Sequence, residues 1–222
     1  IAVIGNTLVA IQAQIDGTDS ALNTLIANIA ATETPVKLQF PSAFLTDATR
    51  VVASSENPSE VVNRYAAFRA FDGTYGENAV VLYPDDPALG GWMSDESATT
   101  STLTLDGVST AGHYTYLDLS QDTTTAIITS FQFYSWSRRI FPIEYDIIGS
   151  NDGSSWTSLY HTDSAVIEGT IAHTAQDCGY TAELTTTKQD QYYRYVGILV
   201  QSNLIDNANH KAIQELLLYS KA

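Results

Sequence analysis

The run 134–139, Tyr-Ser-Trp-Ser-Arg-Arg, holds residue types that can recognise a sugar. Trp136 offers a flat aromatic face for the apolar C–H patch of a pyranose. Arg138 and Arg139 offer planar donors for its hydroxyls. Two adjacent arginines stand out because the chain of 222 residues has only 10 Lys and Arg against 25 Asp and Glu. A plainer use is open to the same residues: the arginines pairing with surface carboxylates, and Trp136 half-buried. The stretch 83–90, with Tyr83, Asp85 and Asp86, is either a further rim for such a site or a solvated turn.

Catalysis would need a constellation that the chain lacks. His113, His161, His173 and His210 are scattered, without metal-ligand spacing. There is no Gly-x-Ser-x-Gly elbow and no phosphate-cradling glycine loop. Asp85 and Asp86 are adjacent, so on a strand they point to opposite faces and make a poor acid–base pair. The expectation is a binding protein, not an enzyme.

Composition narrows the partners. Hydrophobic residues make up 44% of the chain, enough for a packed core, whereas charged residues make up only 16%. The net charge of −15 repels phosphate backbones and anionic lipid, which excludes nucleic acid as a partner. No apolar run reaches the ~18 residues needed to cross a bilayer, and no basic-then-apolar leader is visible. The one cysteine, Cys178, allows no intrachain disulfide and is expected to be a small buried apolar group. The chain opens on Ile1 and is expected to be the C-terminal part of something longer.

Two kinds of element must position these residues. Over 1–32 the apolar residues repeat as a heptad, with Ile1, Leu8, Ile15, Leu22 and Ile29 at a and Ile4, Ile11, Thr18 and Leu25 at d. A strict seam with a 3.5-residue period marks a coiled coil. Ile-rich a and d positions favour three strands or more, and the e and g positions (Gly5, Thr7, Gln12, Gln14, Asp19, Ala21) lack the opposite charges of a dimer. Asp16-Gly17-Thr18 weakens the middle and is expected to divide the helix. Undivided, the segment would be a stalk of ~48 Å. The alternative is one amphipathic helix packed on the chain's own sheet. Pro35 closes the segment.

After Val36 the texture turns to short segments of period two, rich in β-branched residues. These are 51–54, 101–105, 115–119, 126–134, 143–148, 181–187, 193–201 and 213–219, separated by turn clusters such as Asn151-Asp152-Gly153-Ser154. With no second helical pattern, this predicts an antiparallel β-sandwich or barrel. The Asn151-Asp152-Gly153 turn is expected to need positive φ, and Trp92 and Trp156 are expected to pack inward.

The order of several segments resembles the discoidin family, the C-type domains of clotting factors and related sugar-binding modules. They are 53–55 (ASS), 70–73 (AFDG), 91–94 (GWMS), 116–119 (YLDL), 143–156 (IEYDIIGSNDGSSW), 192–198 (YYRYVGI) and 213–219 (IQELLLY). The most specific is 143–156, similar to the family's Y-x-I-x-x-S-x-D-G-x-x-W. The likeness covers about residues 45–220 and leaves out the helical segment. It implies a galactose-binding-like, jelly-roll β-sandwich. The expected organisation is then a helical coiled-coil stalk over 1–34, a linker over 35–49 and a discoidin-like β-sandwich over 50–222.

In that family a structural calcium often joins a loop to the C-terminal strand, and ligands bind on loops at one end. The matching cation positions here are Arg69 and Gln214 through their carbonyls, with Asp72, Thr74, Glu77 and Glu215. Thr74 and Glu77 depart from the usual residue types, and Asp72 capping a turn with Glu215 paired to Arg69 is an equal alternative. By the same likeness, 134–139 is a loop at the binding end, with His161, Asn203 and His210 lining it beside Trp136, Arg138 and Arg139. The expectation is an extracellular or virion-surface homotrimer whose heads bind a cell-surface glycan, as in a viral or phage receptor-binding fibre. The alternatives are a structural virion or filament component, or a carbohydrate-binding module of a larger secreted enzyme.

Overall fold

A computed structural model of the chain describes residues 12, 14–22, 36–37, 50–56, 66–71, 91–95, 100–120, 125–135, 140–172, 177–204 and 211–220. The chain forms two compact units, one ending at Pro35 and the other spanning Val36–Lys221.

In the first unit, residues 14–22 form one uninterrupted helix. The expected division at Asp16-Gly17-Thr18 is absent. Thr18 Oγ1 donates to the Gln14 carbonyl at 2.8 Å, and Gln12 Nε2 donates to Asp16 Oδ1 at 2.8 Å. Both contacts span four residues and brace the turn around Gly17. Ile15 and Leu22, both at a, are 49% and 52% exposed in the single chain. Of the other a and d positions only Thr18 is described; the rest lie outside the described residues.

The second unit is built from strands. They are β1 (Val36–Lys37), β2 (Val51–Ala53), β3 (Trp92–Met93), β4 (Ser101–Leu105), β5 (Val108–Asp118), β6 (Ile128–Ser135) and β7 (Pro142–Ser150). There follow β8 (Ser155–Thr162), β9 (Gly169–Ala172), β10 (Asp177–Tyr180), β11 (Leu184–Thr185), β12 (Tyr195–Asn203), β13 (Ala212–Ile213) and β14 (Glu215–Ser220). A 3-10 helix over Ala67–Phe71 precedes β3. Most of the expected segments overlap strands, but 181–187 yields only β11. The stretch 35–49 contains β1, which pairs with β14.

One sheet runs β1-β14-β6-β10-β9, with β11 also on β6, and the other runs β12-β7-β8-β4-β5-β2. Alternation on facing strands builds a shared core, as period two demands. Phe131 and Phe133 of β6 and Leu216 and Leu218 of β14 meet Tyr145 and Ile147 of β7 and Val196, Ile198 and Val200 of β12. Tyr145 takes Phe133 edge-on at 5.0 Å and Phe131 at 6.2 Å, a geometry worth about 1 kcal/mol per pair beyond burial. The unit is a mainly β sandwich.

The second sheet departs from the antiparallel expectation. β12 pairs with both β7 and β5, while β4 joins β5 to β8, so five strands close into a ring. The closing contact is parallel, with Thr104 opposite Ser155 and Leu105 opposite Trp156. The β4–β5 hairpin turns at Asp106 (φ 47°) and Gly107 (φ 82°), and its β4 arm is the one that meets the start of β8. Asp106 N donates to the Trp156 carbonyl at 2.8 Å, and Lys188 Nζ reaches Asp106 Oδ1 at 3.1 Å. Trp156 is buried as expected, but with Leu105, Ile148 and Leu199 in a small second core. Trp92 lies in the main core and donates its indole N–H to the Ser55 carbonyl at 2.9 Å.

The β7–β8 turn takes the expected form, with Gly153 at φ 72°. Asp152 Oδ1 accepts the Ser154 and Ser155 amides, each at 2.7 Å. These backbone bonds from Ser155 and Ser154 hold the Asp152 carboxyl well below the usual carboxylate range. A carboxylate lowered in the fold contributes stability that is present above its unfolded pKa and lost as pH falls toward the folded value. The urea midpoint is therefore expected to decline below pH ~4. Asp152→Asn is expected to flatten part of that decline, as a titration of urea midpoints for both proteins would show.

Candidate functional site

The described residues that flank 136–139 and 205–210 converge through backbone bonds. β12 ends at Asn203, opposite Pro142 at the start of β7, and Leu204 N donates to the Phe141 carbonyl at 2.9 Å. That bond ties the stem following 136–139 to the stem preceding 205–210. On the other side of 205–210, Ala212 pairs with Met93, Ser94 N donates to the Lys211 carbonyl at 2.8 Å, and Lys211 N donates to Ser94 Oγ at 2.8 Å. Met93, Ile140 and Ala212 pack together beneath these bonds. Asp95 N donates to Ser55 Oγ at 3.1 Å, which brings in the stem preceding 57–65. Stems separated by as much as 156 residues in sequence (211 − 55) therefore converge, and their buried packing fixes where the loops leave the fold.

Trp136, Arg138, Arg139 and His210 lie outside the described residues, as do His173 and the 83–90 stretch with Tyr83, Asp85 and Asp86. The stems flanking 136–139 and 205–210 are the ones that meet. Asn203 is buried at the end of β12 rather than on a loop. His161 stands on β8, with its side chain 54% exposed, on the outer face of the second sheet.

His161 has a partner that sequence reasoning missed. Asp146 is buried on β7, and its Oδ1 lies 3.2 Å from His161 Nδ1 and accepts from Ser158 Oγ at 2.6 Å. Its Oδ2 accepts from Gln201 Nε2 at 2.9 Å. With Nδ1–H donating to this carboxylate, the other ring nitrogen, Nε2, is the one left for a further partner. An acid inside the apolar run 143–148 was the available signal, since a charge there needs partners if it is buried.

His113 lies on the core face of β5. Burial, followed by the nearby Lys211 charge, lowers its pKa, so the ring is neutral near pH ~7. Its Nδ1 and the neighbouring Thr115 Oγ1 are buried without a hydrogen-bond partner among the described residues.

Of the cation positions, Arg69 lies in the 3-10 helix that packs against β14, where Glu215 is buried, and Gln214 is buried beside it. The Arg69 guanidinium sits 4.9 Å from the Phe68 ring centre. Gly91 (φ 144°) presses on this segment: a side chain there would come within 2.6 Å of Gln214 Cα. Asp72, Thr74 and Glu77 lie outside the described residues, and among the described residues no three His, Cys, Asp or Glu groups could hold a metal ion. The Cys178 side chain is also outside them.

No family model matches the chain, and no curated protein matches it. Solved structures do. Chitosan-binding module 1 from the chitosanase/glucanase of Paenibacillus sp. IK-5 is 17% identical, with 77% of this chain and 93% of that chain covered and a TM-score of 0.47. CBM32-3 from a family 31 glycoside hydrolase of Clostridium perfringens is 19% identical, with 82% and 100% covered and a TM-score of 0.47. CBM62 from Clostridium thermocellum is 17% identical, with 84% and 97% covered and a TM-score of 0.46.

Proposed function

We propose that this chain is a non-catalytic, glycan-binding adhesion protein, its galactose-binding-like sandwich borne on an oligomeric helical stalk. The observation that carries this reading is the junction of loop stems at Leu204 and Phe141, bonded at 2.9 Å. It supports a site in which 136–139 and 205–210 share one rim. Trp136 would stack on the apolar face of a sugar ring, and Arg138 and Arg139 would donate to its hydroxyls. His161 Nε2 would accept from a hydroxyl, with Asp146 holding the ring. A calcium held by Asp72, Glu215 and the carbonyls of Arg69 and Gln214, with Thr74 and Glu77 nearby, would brace the loop against β14 and take no part in chemistry.

Ile15 and Leu22, exposed in one chain, support association through the heptad. Three heads on one stalk would gain from effective concentration what a single shallow sugar site lacks. An extracellular receptor-binding fibre, viral or phage, fits this organisation. A carbohydrate-binding module of a larger secreted enzyme would instead give a chain that stays single in solution.

Trp136→Ala is expected to weaken retention on a glycan surface at least ~10-fold, the loss of about 1.4 kcal/mol of stacking and contact. Its melting temperature should stay within ~2 °C of the parent, because the residue is assigned to a loop and not to the core. Surface plasmon resonance on an immobilised glycan checks the first and calorimetry the second; undiminished retention would remove Trp136 from the site.

A further inference from the structure

The sandwich end opposite the joined loop stems carries a second arrangement of sugar-recognising groups. β12 runs from Tyr195 to Asn203, so its two ends stand about 26 Å apart. Just before Tyr195, Tyr193 turns inward and is buried, which leaves Tyr192 and Arg194 both facing out. Tyr192 is 60% exposed, the most open aromatic side chain among the described residues with large exposed apolar groups.

The backbone beneath it is fixed. Asn151 Nδ2 donates to the Tyr192 carbonyl at 2.9 Å, and Asn151 Oδ1 accepts the Arg194 amide at 3.0 Å. One side chain thus clamps both residues to the β7–β8 turn. The Arg194 guanidinium lies 4.8 Å from the Tyr195 ring centre, and its Nε is 3.5 Å from Asp118 Oδ1. Both Arg194 and Asp118 remain partly open to water, at 44% and 18% exposure. Tyr192 and Arg194 are two positions apart on one clamped stretch and both exposed, so an aromatic face, a guanidinium and the Asp118 carboxylate it pairs with are offered from one short segment and its neighbouring strand. Holding these groups in place before binding lowers the ordering cost of capture.

We propose that Tyr192, Arg194 and Asp118 form a second saccharide site, selective for a neutral sugar unit. The charges argue for neutrality. Arg194 and Asp118 offset each other locally, so neither an acidic nor a basic sugar gains net attraction. The chain's net charge of −15 further disfavours anions.

The test is a titration of the whole chain, nitrogen-labelled, with lactose, N-acetyllactosamine and cellotriose, read by amide NMR and calorimetry. The parent protein and the variants Trp136→Ala, Tyr192→Ala, Tyr192→Phe and Arg194→Gln are compared. The inference expects amide shifts over 192–195 with at least one of the sugars. Those shifts should persist in Trp136→Ala and in Tyr192→Phe, and weaken ~10-fold or more in Tyr192→Ala. Melting of Tyr192→Ala should be unchanged, since the side chain is exposed. Absence of shifts over 192–195 at millimolar sugar overturns the inference. If Trp136→Ala abolishes all binding while Tyr192→Ala changes nothing, the loop-stem reading stands and this site does not. The reverse pattern keeps this site and removes the other.

Discussion

Gly197→Ala is expected to unfold the head. Gly197 lies mid-way along β12, paired with Ile148 of β7 on one side and Tyr116 of β5 on the other. A β-carbon there would overlap the Thr115 carbonyl oxygen and lie 2.6 Å from both Cα and Cβ of Tyr116. The obstacle is largely backbone, so no flexible side chain can swing aside. Relief would require β5 to separate from β12, which opens both the main core and the closed ring beside it. A cost above about 4 kcal/mol is expected, against a total stability of about 5–15 kcal/mol. Gly107 is the contrast. A side chain there meets nothing within 4 Å and only the φ of 82° opposes it, so Gly107→Ala should cost about 1 kcal/mol. Urea unfolding followed by circular dichroism checks both. A Gly197→Ala protein that melts within a few degrees of the parent would show that β5 and β12 are not held as described.

If chains associate through the heptad as proposed, Ile15→Asp combined with Leu22→Asp is expected to leave single chains. Both residues are a positions, seven apart on the described helix, and each leaves about half its surface in water in one chain. A seam of this kind gains its stability by burying such residues against copies of themselves. Two carboxylates per chain, brought together at the seam, would be desolvated and mutually repelling. Light scattering should then fall from a multiple of 24.1 kDa to that single-chain mass. Retention on a glycan-coated surface should fall about 100-fold with it, because linked sites lose their effective concentration. A parent protein that is already a single chain would remove the stalk from the account and favour a module of a larger chain.

The strands were legible where alternation ran long. Ile143, Tyr145 and Ile147, and Val196, Ile198 and Val200, are apolar at every second residue, and both stretches are central strands. The turn at Gly153 was legible because Asn-Asp-Gly between strands needs positive φ. The ring was not. Asp106-Gly107 is an equally local hairpin signal, but where that hairpin lands depends on Leu105 meeting Trp156, a contact across 51 positions (156 − 105) that no local period records. The helix through Gly17 was misjudged because glycine's cost of about 1 kcal/mol was weighed without the side-chain bonds of Thr18 and Gln12 around it. The strands β9 and β10 were missed because Gly169–Ala172 and Asp177–Tyr180 are too short to show a period.

Of the candidate site, only the residue types were legible. Aromatic and arginine side chains at 134–139 announce a chemistry, while the stems that would aim them come together through β3, β7, β12 and β13. Asp146 shows the limit most clearly. On its own strand it reads as an outward-facing charge. Its burial follows from Ser158 and Gln201, supplied by neighbouring strands.

The most direct test of the central claim is a broad glycan array probed with the whole chain, first with calcium and then with chelator. The account predicts retention on a restricted set of glycans, with weaker retention in chelator if the proposed cation between Asp72 and Glu215 braces the loops. Silence across the array, under both conditions and with a folded protein, would contradict glycan binding and leave the sandwich as a structural scaffold.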